Sequence, residues 1–267
     1  MEIRKLTILG GRGKNGENEP VSEVTLRMGE VVSIVGSTGS GKTELINDIE
    51  LFANANTPSQ RRVLINDSPP PAEFINDPSH NPVALITQHT NFLSDLPVKK
   101  FLEVHARVRQ TERSASVVAE TLEFANQLTG EPIIQGSAMT ELSGGQTRAL
   151  LIADAVIIGN SPVLLLDEIE NAGINRTKAI ELLKGYEKIF IFVTHDPRIA
   201  LFSHFRVVMK EGAMQQVIVT EAEEQRVAEE IKKLDDLLLD FRARIRAGGR
   251  LTERDMETQL RALGYIA

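Results

Sequence analysis

Short apolar runs alternate with helical patterns along most of the chain. The runs Val31–Val35 and Ile189–Val193 carry β-branched or aromatic residues on both faces, as buried parallel strands do. Further strands are predicted at residues 3–9, 21–26, 63–65, 84–86, 163–166, 205–209 and 217–219. Between residues 98 and 128, apolar positions recur every three or four residues, which predicts helices inserted between the strands. The alternation predicts an α/β fold with a mainly parallel sheet and an inserted helical subdomain.

Two stretches depart from this alternation. The proline-rich stretch 68–82 predicts an exposed linker. After residue 220 the composition becomes that of charged helix, broken at Gly248–Gly249, with Thr252 and Asp255 as the capping pair of a second helix. Apolar residues of the first helix alternate spacings of four and three, at Val227, Ile231, Leu234, Leu238, Phe241 and Ile245. We expect a domain over 1–220, with a helical subdomain at about 89–150, and a helical hairpin over 221–267.

The apolar residues of the first helix form a stripe, for which two interpretations are open. Either the stripe packs on its own chain, or it binds a second copy or another protein.

Composition limits the classes of function. The 267 residues carry a net charge of −7, which argues against a broad electrostatic grip on nucleic acid. The sequence contains no cysteine, so disulfides, thiolate metal sites and cysteine nucleophiles are excluded. No apolar run approaches the roughly 20 residues that span a bilayer, and the N-terminal residues do not resemble a secretion signal. We expect a cytoplasmic protein that reaches a membrane only through a partner.

A glycine-rich loop follows the strand at 31–35. Its residues match the pattern G-x-x-x-x-G-K-[ST] and are Gly36, Ser37, Thr38, Gly39, Ser40, Gly41, Lys42 and Thr43. Glycines let backbone N–H groups surround phosphate oxygens, and the following helix N-terminus adds positive potential. Lys42 is expected to reach the β- and γ-phosphates, and the Thr43 hydroxyl to bind Mg²⁺. The alternative, a chance glycine turn, does not account for the position of the loop between strand and helix.

Two further motifs lie downstream. The segment Leu142-Ser143-Gly144-Gly145-Gln146 places a serine and two glycines at a predicted helix start, where they form either an ordinary cap or a second anion-binding nest. The strand at 163–166 delivers Asp167 and Glu168 to the sheet edge at which open α/β proteins bind ligands. The alternative is that both are solvated residues that close a strand.

Together with the phosphate loop, these motifs resemble those of the ATP-binding cassette (ABC) ATPases over roughly residues 1–215. The resemblance implies that Ser143, Gly144, Gly145 and Gln146 are the signature that binds ATP. Asp167 would then be the Walker B aspartate that holds Mg²⁺, and Glu168 the general base. Gln88 would be the glutamine that coordinates Mg²⁺, and His195 the switch histidine that contacts the γ-phosphate. A lone glutamine or histidine would mean little, and the shared order of five motifs carries the resemblance.

The resemblance also implies an architecture and an assembly. Family members have a RecA-like core, a helical subdomain that bears the signature, and a dimer in which two ATP molecules are sandwiched. In that dimer Ser143, Gly145 and Gln146 of one chain cap the ATP bound by residues 36–43 of the other. Each chain carries one copy of each motif, so two chains are needed, either identical or different.

The chain departs from the family pattern at two places. Most members carry an aromatic residue before the phosphate loop that stacks on adenine, but here no Phe, Tyr or Trp precedes Phe52. Arg12 either replaces that ring or is a solvated turn residue. After Glu168, family members usually have proline and a loop that ends in aspartate, whereas this chain has Ile169–Ile174 with Asn175 next. Communication between the two sites is therefore expected to be altered.

Two roles fit these motifs. The first is the nucleotide-binding subunit of a membrane transporter, because residues 91–98 resemble the stretch that receives the coupling helix of a separate permease chain. The second is an ATPase that remodels or activates a cytoplasmic client protein, favoured by the altered loop, the missing aromatic residue and the helical tail.

Overall fold

The computed structural model describes residues 2–77, 80–87, 89–109, 114–168, 174 and 176–266. Its contacts divide the chain into two compact units, Met1–Val219 and Thr220–Ala267. The first unit carries all the motifs considered above, and the second consists of two helices.

A six-stranded sheet forms the centre of the first unit. Its strands are β3 (Val31–Val35), β5 (Val83–Ile86), β6 (Val163–Asp167), β7 (Ile189–Val193), β8 (Phe205–Lys210) and β9 (Ala213–Val219). They lie in the order β5-β6-β7-β3-β8-β9, and every neighbouring pair is parallel except β8 and β9. The predicted mainly parallel sheet is confirmed.

The three remaining strands form a separate antiparallel sheet. They are β1 (Lys5–Leu9), β2 (Glu23–Arg27) and β4 (Arg62–Ile65), in the order β2-β1-β4. The sequence predicted these strands but not their separation from the main sheet. The two sheets differ in burial: β2 alternates buried residues with more exposed ones, whereas all five residues of β7 are buried.

Seven helices of the first unit are described. They are α1 (Lys42–Glu50), α2 (Ala72–Asn76), α3 (Val98–Arg109), α4 (Ser114–Leu128), α5 (Gly144–Val156), α6 (Arg176–Leu183) and α7 (Pro197–Phe202). The short α2 lies inside the stretch 68–82 that we predicted to be an exposed linker, and that prediction is wrong at this point. Phe74 of α2 is buried and its ring lies 6.4 Å from that of Phe52, so one aromatic contact holds the segment against the core.

Two apolar clusters cover the two faces of the main sheet. One joins Leu164, Leu166, Phe190 and Phe192 to the helices α3, α4 and α5. The other joins Leu165 and Ile191 to α1 and to the antiparallel sheet. Alternate residues of β6 and β7 point to opposite faces, so the same two strands supply both clusters.

The second unit is a helical hairpin. It consists of α8 (Ala222–Arg246) and α9 (Glu253–Ala262), and Thr252 caps α9 through Asp255 as predicted. Arg244 pairs with Asp255 at 3.2 Å, and the Tyr265 hydroxyl donates to Glu230 Oε2 at 2.8 Å. Hydrogen bonds from Thr252, and then the contact with Arg244, lower the pKa of Asp255 to about 2. In the described residues we find no helix long and apolar enough to cross a bilayer.

Candidate active site

The carboxyl ends of three neighbouring strands converge at one edge of the main sheet. Strand β3 leads into the phosphate loop, β6 ends at Asp167, and β7 leads to His195. Because β7 lies between β6 and β3 and all three run parallel, the residues that follow them share this edge. This is the position at which open α/β sheets bind ligands.

The phosphate loop is held in shape by its glycines and by the lysine. Gly41 is the N-cap of α1 with φ at 101°, and a Cβ there would lie 2.7 Å from Gly212 Cα. Only glycine therefore fits at this point. The Lys42 ammonium donates to the carbonyls of Gly36 and Ser37 at 2.9 and 3.1 Å, so its charge lies across the mouth of the loop. The neighbouring Thr43 is exposed at the start of α1.

The structure brings Glu168 and His195 together. Glu168 has φ at 49°, and its N–H donates to the carbonyl of Val193 at 3.0 Å. This left-handed turn directs the side chain towards β7, where Glu168 Oε1 lies 3.6 Å from His195 Nε2. That separation is longer than a hydrogen bond, and both side chains are partly exposed. A carboxylate and an imidazole therefore meet at the edge that carries the phosphate loop.

A cavity of about 330 Å³ joins the first residues of the phosphate loop to the segment after β7. It is lined by Val35, Gly36, Ser37, Thr194, His195, Asp196, Pro197 and Ala200. Asp196 fixes this segment, since its Oδ1 accepts from Arg198 N at 2.8 Å and so caps α7. His195 is thus held beside the loop by a helix cap.

The signature residues form a capping box at the start of α5. Ser143 Oγ accepts from Gln146 N at 3.3 Å, and Gln146 Oε1 accepts from Ser143 N at 3.0 Å. The Gln146 side chain also donates to the carbonyl of Pro132 at 3.2 Å. Ser143 and Gly144 are exposed and Gly145 is half-buried, so the helix start is open to the outside of the chain.

Some predicted residues lie outside the part of the chain that the structure describes. These are Gln88 and, from the altered segment after Glu168, residues 169–173 and 175. Ile174 is described: it is buried and its backbone bridges to Thr129.

The donor set at the edge fits a magnesium ion carried by a nucleotide. Among the residues the structure describes, no group of three or more His, Asp or Glu side chains could form a closed metal cage. Mg²⁺ keeps several waters and takes one or two protein oxygens together with substrate phosphates. The Thr43 hydroxyl after the phosphate loop and the Asp167 carboxylate at the end of β6 match that requirement.

A fully buried ionic cluster behind the phosphate loop was missed by the sequence analysis. The guanidinium of Arg61 pairs with Glu19 at 2.6 Å and with Asp48 at 2.8 Å, and no part of the Arg61 side chain is exposed. Burial by itself lowers the pKa of Arg61, but hydrogen bonds and charge attraction from Glu19, and then from Asp48, raise that pKa overall. Asp48 lies on α1, so the cluster is attached to the helix that begins at the phosphate loop.

The same cluster holds two turns against that helix. Arg61 also donates to the carbonyl of Gly212 at 2.6 Å, in the turn between β8 and β9. Glu19 accepts from the backbone N–H of Gly11 at 2.8 Å and of Met214 at 2.6 Å. With its remaining oxygens satisfied in this way, the cluster is stable only as a complete unit.

The loop on which an adenine-stacking residue is expected lies beside the phosphate loop. The Lys14 ammonium donates to the carbonyl of Gly39 at 2.9 Å, and Lys14 N donates to the carbonyl of Glu211 at 2.8 Å. Arg12 is exposed, and its backbone bridges to Asn18. Stacking of Arg12 on a base stays a prediction.

One buried lysine lies away from this edge, at the beginning of β7. Lys188 donates to Asn160 Oδ1 at 2.8 Å and to the carbonyl of Ser161 at 3.0 Å. Burial lowers the pKa of Lys188 to about 8.

The sheet order, the phosphate loop and the carboxylates at one edge define a P-loop nucleotide hydrolase. The model of the ABC transporter family matches residues 21–171, more than half of the chain. An uncharacterized ABC transporter ATP-binding protein of Methanocaldococcus jannaschii is 48% identical over 98% of this chain and 100% of its own length. The chain belongs to the ABC transporter family and is an ATP-binding ATPase cassette of that family.

Other similar proteins are larger or more distant. The macrolide export ATP-binding/permease protein MacB of Campylobacter jejuni is 30% identical, over 74% of this chain but only 31% of its own length. The spermidine/putrescine import ATP-binding protein PotA of Bacillus cereus is 31% identical, over 74% of this chain and 60% of its own length. The chain thus spans less than two thirds of either protein.

Solved structures show the same fold. The cbiO1 protein of Clostridium perfringens, part of an ABC transporter complex, superposes with a TM-score of 0.64 at 22% identity over 89% of this chain and 99% of its own. A dimeric ATP-binding cassette bound to ADP and phosphate gives a TM-score of 0.62 at 22% identity over 81% of this chain and 99% of its own.

Proposed function

We propose that the chain hydrolyses Mg-ATP in a dimer and powers a membrane transporter as its nucleotide-binding subunit. The observation that carries the proposal is the meeting of Glu168 and His195, at 3.6 Å, on the sheet edge that holds the Lys42 loop. A phosphate loop alone would fit any nucleotide-binding protein, whereas the carboxylate and imidazole beside it supply groups that can act on an attacking water.

Each residue at the edge has a role in this proposal. The Lys42 ammonium leaves the loop carbonyls and binds the β- and γ-phosphate oxygens, which the backbone N–H groups of residues 36–43 surround. Glu168 accepts a proton from the attacking water, and His195 holds the γ-phosphate in line with that water. Thr43, Asp167 and Gln88 would hold Mg²⁺, which would supply positive charge beside the phosphates. Ser143, Gly144, Gly145 and Gln146 bind the γ-phosphate of ATP held by the other chain.

The exposed start of α5 supports the two-chain arrangement. Ser143 and Gly144 are exposed at the start of α5, and the helix N-terminus adds positive potential at the same point. An anion-binding helix start that is open to the outside suits a phosphate supplied by another chain. A two-fold axis then completes both sites, most simply with two identical chains.

The relatives support the transporter role but not one cargo. Their names describe export of macrolides in one case and import of spermidine and putrescine in the other. Because both resemble this cassette although their named cargoes and directions differ, we infer that the cargo is selected outside the cassette, and for this chain in a separate membrane-spanning partner. We infer that this chain sits on the cytoplasmic side of the membrane through such a partner.

A loop suited to that partner precedes α3. Leu93 is 100% exposed, while its neighbour Phe92 is anchored by an edge-to-face contact with Phe101 at 5.1 Å. Because residues 91–98 resemble the stretch that receives a coupling helix, we propose that Leu93 contacts the partner.

This loop is linked to the signature through the backbone. Val98 N donates to the carbonyl of Ser137 at 3.0 Å, and Met139 N donates to the carbonyl of Leu96 at 3.1 Å. Four residues after Met139, Ser143 starts α5. A displacement of the loop by a partner would therefore move the signature as well.

Mixing two inactive variants tests the two-chain site. Lys42→Ala and Ser143→Arg are each expected to be inactive alone, because every site in either homodimer contains one damaged motif. Their heterodimer contains one site with an intact phosphate loop and an intact signature, so ATPase activity should partly return. A mixture of folded variants that stays inactive, together with a wild-type specific activity that does not change on dilution well below the dimer Kd, would refute the composite site.

A charge at position 93 tests whether the loop before α3 contacts the membrane partner. Leu93→Asp should leave the ATPase rate of the isolated protein within about twofold of wild type, since it changes no hydrogen bond of the fold. It should abolish co-sedimentation of the protein with membranes of its own cells. Ile75→Asp is the matched control, because Ile75 is also exposed but lies on α2. Equal membrane association of both variants would argue against this loop as the contact.

A further inference from the structure

The helical hairpin of the second unit carries an apolar stripe that it does not cover itself. Within α8 and α9, all of whose residues are described, no residue is buried. The side chains of Val227, Leu234, Leu238 and Ile245 are 46%, 39%, 50% and 59% exposed. Successive members of this set are seven, four and seven residues apart, so they lie along one side of α8.

The contacts between α8 and α9 leave this stripe open. Two of them join Arg244 to Asp255 near the turn and Glu230 to Tyr265 after α9. Because neither helix has a buried residue, the hairpin lacks the apolar core that a small domain needs for stability. The hairpin therefore requires another surface for its apolar residues.

The stripe is complementary to itself when a second copy runs in the opposite direction. Its spacing of seven, four and seven is unchanged on reversal, with residue 236 at the centre. An antiparallel second copy thus places its Ile245 opposite Val227 and its Leu238 opposite Leu234. All four stripe residues thus face a stripe residue of the other copy, as an isologous two-fold interface requires.

The charges on α8 favour the same orientation. Residues 221–230 carry five carboxylates and one arginine, whereas residues 242–250 carry four arginines and no carboxylate. In an antiparallel pair the acidic end of each helix lies beside the basic end of the other. In a parallel pair like charges would face each other at both ends, which is unfavourable.

We propose that α8 and α9 form a dimerisation element that joins two copies of this chain as an antiparallel four-helix bundle in the absence of nucleotide. The stripe Val227, Leu234, Leu238 and Ile245 forms the seam between the two copies. The element is independent of the ATP sandwich, since neither the phosphate loop nor the signature contributes to it.

Sedimentation of the full chain without nucleotide is the first test. Wild type should be dimeric at micromolar concentration, and Leu234→Asp with Leu238→Asp should raise the dimer Kd at least about 100-fold, because two charges enter the seam. Ala222→Asp with Gln225→Asp adds the same charge to exposed positions in the first turn of α8 and should change that Kd less than about threefold. A nucleotide-free wild type that is monomeric, or equal Kd values for the two double variants, would overturn the proposal.

Cross-linking tests the orientation. Because the chain has no cysteine, single cysteines report on one contact each. Chains with Val227→Cys mixed with chains with Ile245→Cys should form a disulfide-linked dimer on mild oxidation, and neither variant should do so alone. Cross-linking of Val227→Cys to itself, without the mixed product, would indicate a parallel pair and overturn the antiparallel seam.

Different variants test the ATP-sandwich dimer and the dimer formed by α8 and α9. Ser143→Arg damages the ATP sandwich but should leave the nucleotide-free dimer intact, whereas the Leu234 and Leu238 variant should lose that dimer. If Ser143→Arg abolishes the nucleotide-free dimer, the contact belongs to the cassette and the tail proposal is refuted.

Discussion

The two glycine-rich helix starts of the cassette differ in how their own chain supports them. The start of α1 lies against the turn at Gly212, its lysine spans the loop carbonyls, and the buried ion cluster holds Asp48 two turns further on. The start of α5 is capped by its own Ser143 and Gln146 and is exposed. Both can bind an anion through a helix N-terminus, but only the first is enclosed by its own chain.

This difference indicates a division of labour. A site that must bind nucleotide tightly needs preorganised groups, and the phosphate loop has them before any partner arrives. In the proposed dimer, the start of α5 has to meet and leave another chain, which requires a stable local shape without permanent neighbours, and a capping box provides it. Four substitutions measure how far this contrast holds.

Lys42→Ala should have the largest effect on binding. It removes the point charge from the mouth of the loop, so the affinity for ATP should fall by at least about 10³-fold, measured with a fluorescent nucleotide. Lys14→Ala removes another ammonium, one that contacts Gly39 from the adjoining loop, and should change affinity less than about tenfold. Near-normal affinity of the Lys42 variant would contradict the phosphate-loop assignment.

Arg61→Met should destabilise the cassette by about 3–5 kcal/mol, because it leaves Glu19 and Asp48 buried without a counter-charge. Urea unfolding measures this loss. Arg62→Met is the control on the next residue, which is exposed, and should cost less than about 0.5 kcal/mol. If both variants unfold at the same urea concentration as wild type, the cluster does not support α1.

Glu168→Gln should separate binding from turnover. The amide keeps the shape of the side chain but cannot accept the proton of water, so turnover should fall about 10²-fold or more while ATP affinity is retained. Steady-state rates at saturating ATP give the turnover, and binding of a fluorescent nucleotide gives the ATP affinity. Glu187→Gln, at an exposed position before β7, should alter the rate less than about twofold. A Glu168 variant that keeps more than a tenth of the wild-type rate would exclude this base.

Ser143→Ala should destabilise the protein less than Arg61→Met does. It deletes the side chain that caps α5, which costs about 1 kcal/mol. Thr252→Ala is the matched control: it deletes the corresponding cap of α9, in the other unit, at a similar cost in stability. Only the Ser143 variant should also lower ATPase activity. Equal activities would indicate that Ser143 serves only as a cap.

Several features of the fold follow directly from the sequence. Strands β3 and β7 have the predicted bounds, because a strand buried on both faces is a short, almost unbroken apolar run. The antiparallel sheet was not foreseen as a separate layer, because pairing between residues 5–9 and 62–65 depends on distant parts of the chain. Helix α2 was missed because its proline-rich flanks dominate the local pattern, while the buried Phe74 that anchors it is a single residue.

In the candidate site, too, local sequence predicted some features, whereas others depend on contacts between distant residues. The order of the motifs predicted which strand ends carry Glu168 and His195, but their separation depends on the left-handed turn at Glu168. The ion cluster joins residues 19, 48 and 61, and no local pattern connects them. One signal was present: Asp48 lies among Leu45, Ile49 and Phe52 at helical spacing, on the stripe that should be buried. A charge on such a stripe predicts a buried partner.

The amine of Lys188 makes folding a proton-releasing reaction in mildly alkaline solution. Its pKa of about 8 in the folded protein lies below the value of 10.5 for a solvated lysine. Between pH 8 and pH 10.5 this lysine is protonated in the unfolded chain but largely neutral in the folded protein. The free energy of unfolding therefore rises with pH over this range, by at most about 3 kcal/mol in total. Below pH 8 both states are protonated and the cost of the buried charge is constant. Denaturant titrations from pH 7 to 10.5 should show wild type gaining stability relative to Lys188→Met, and calorimetry in two buffers should detect the released proton directly.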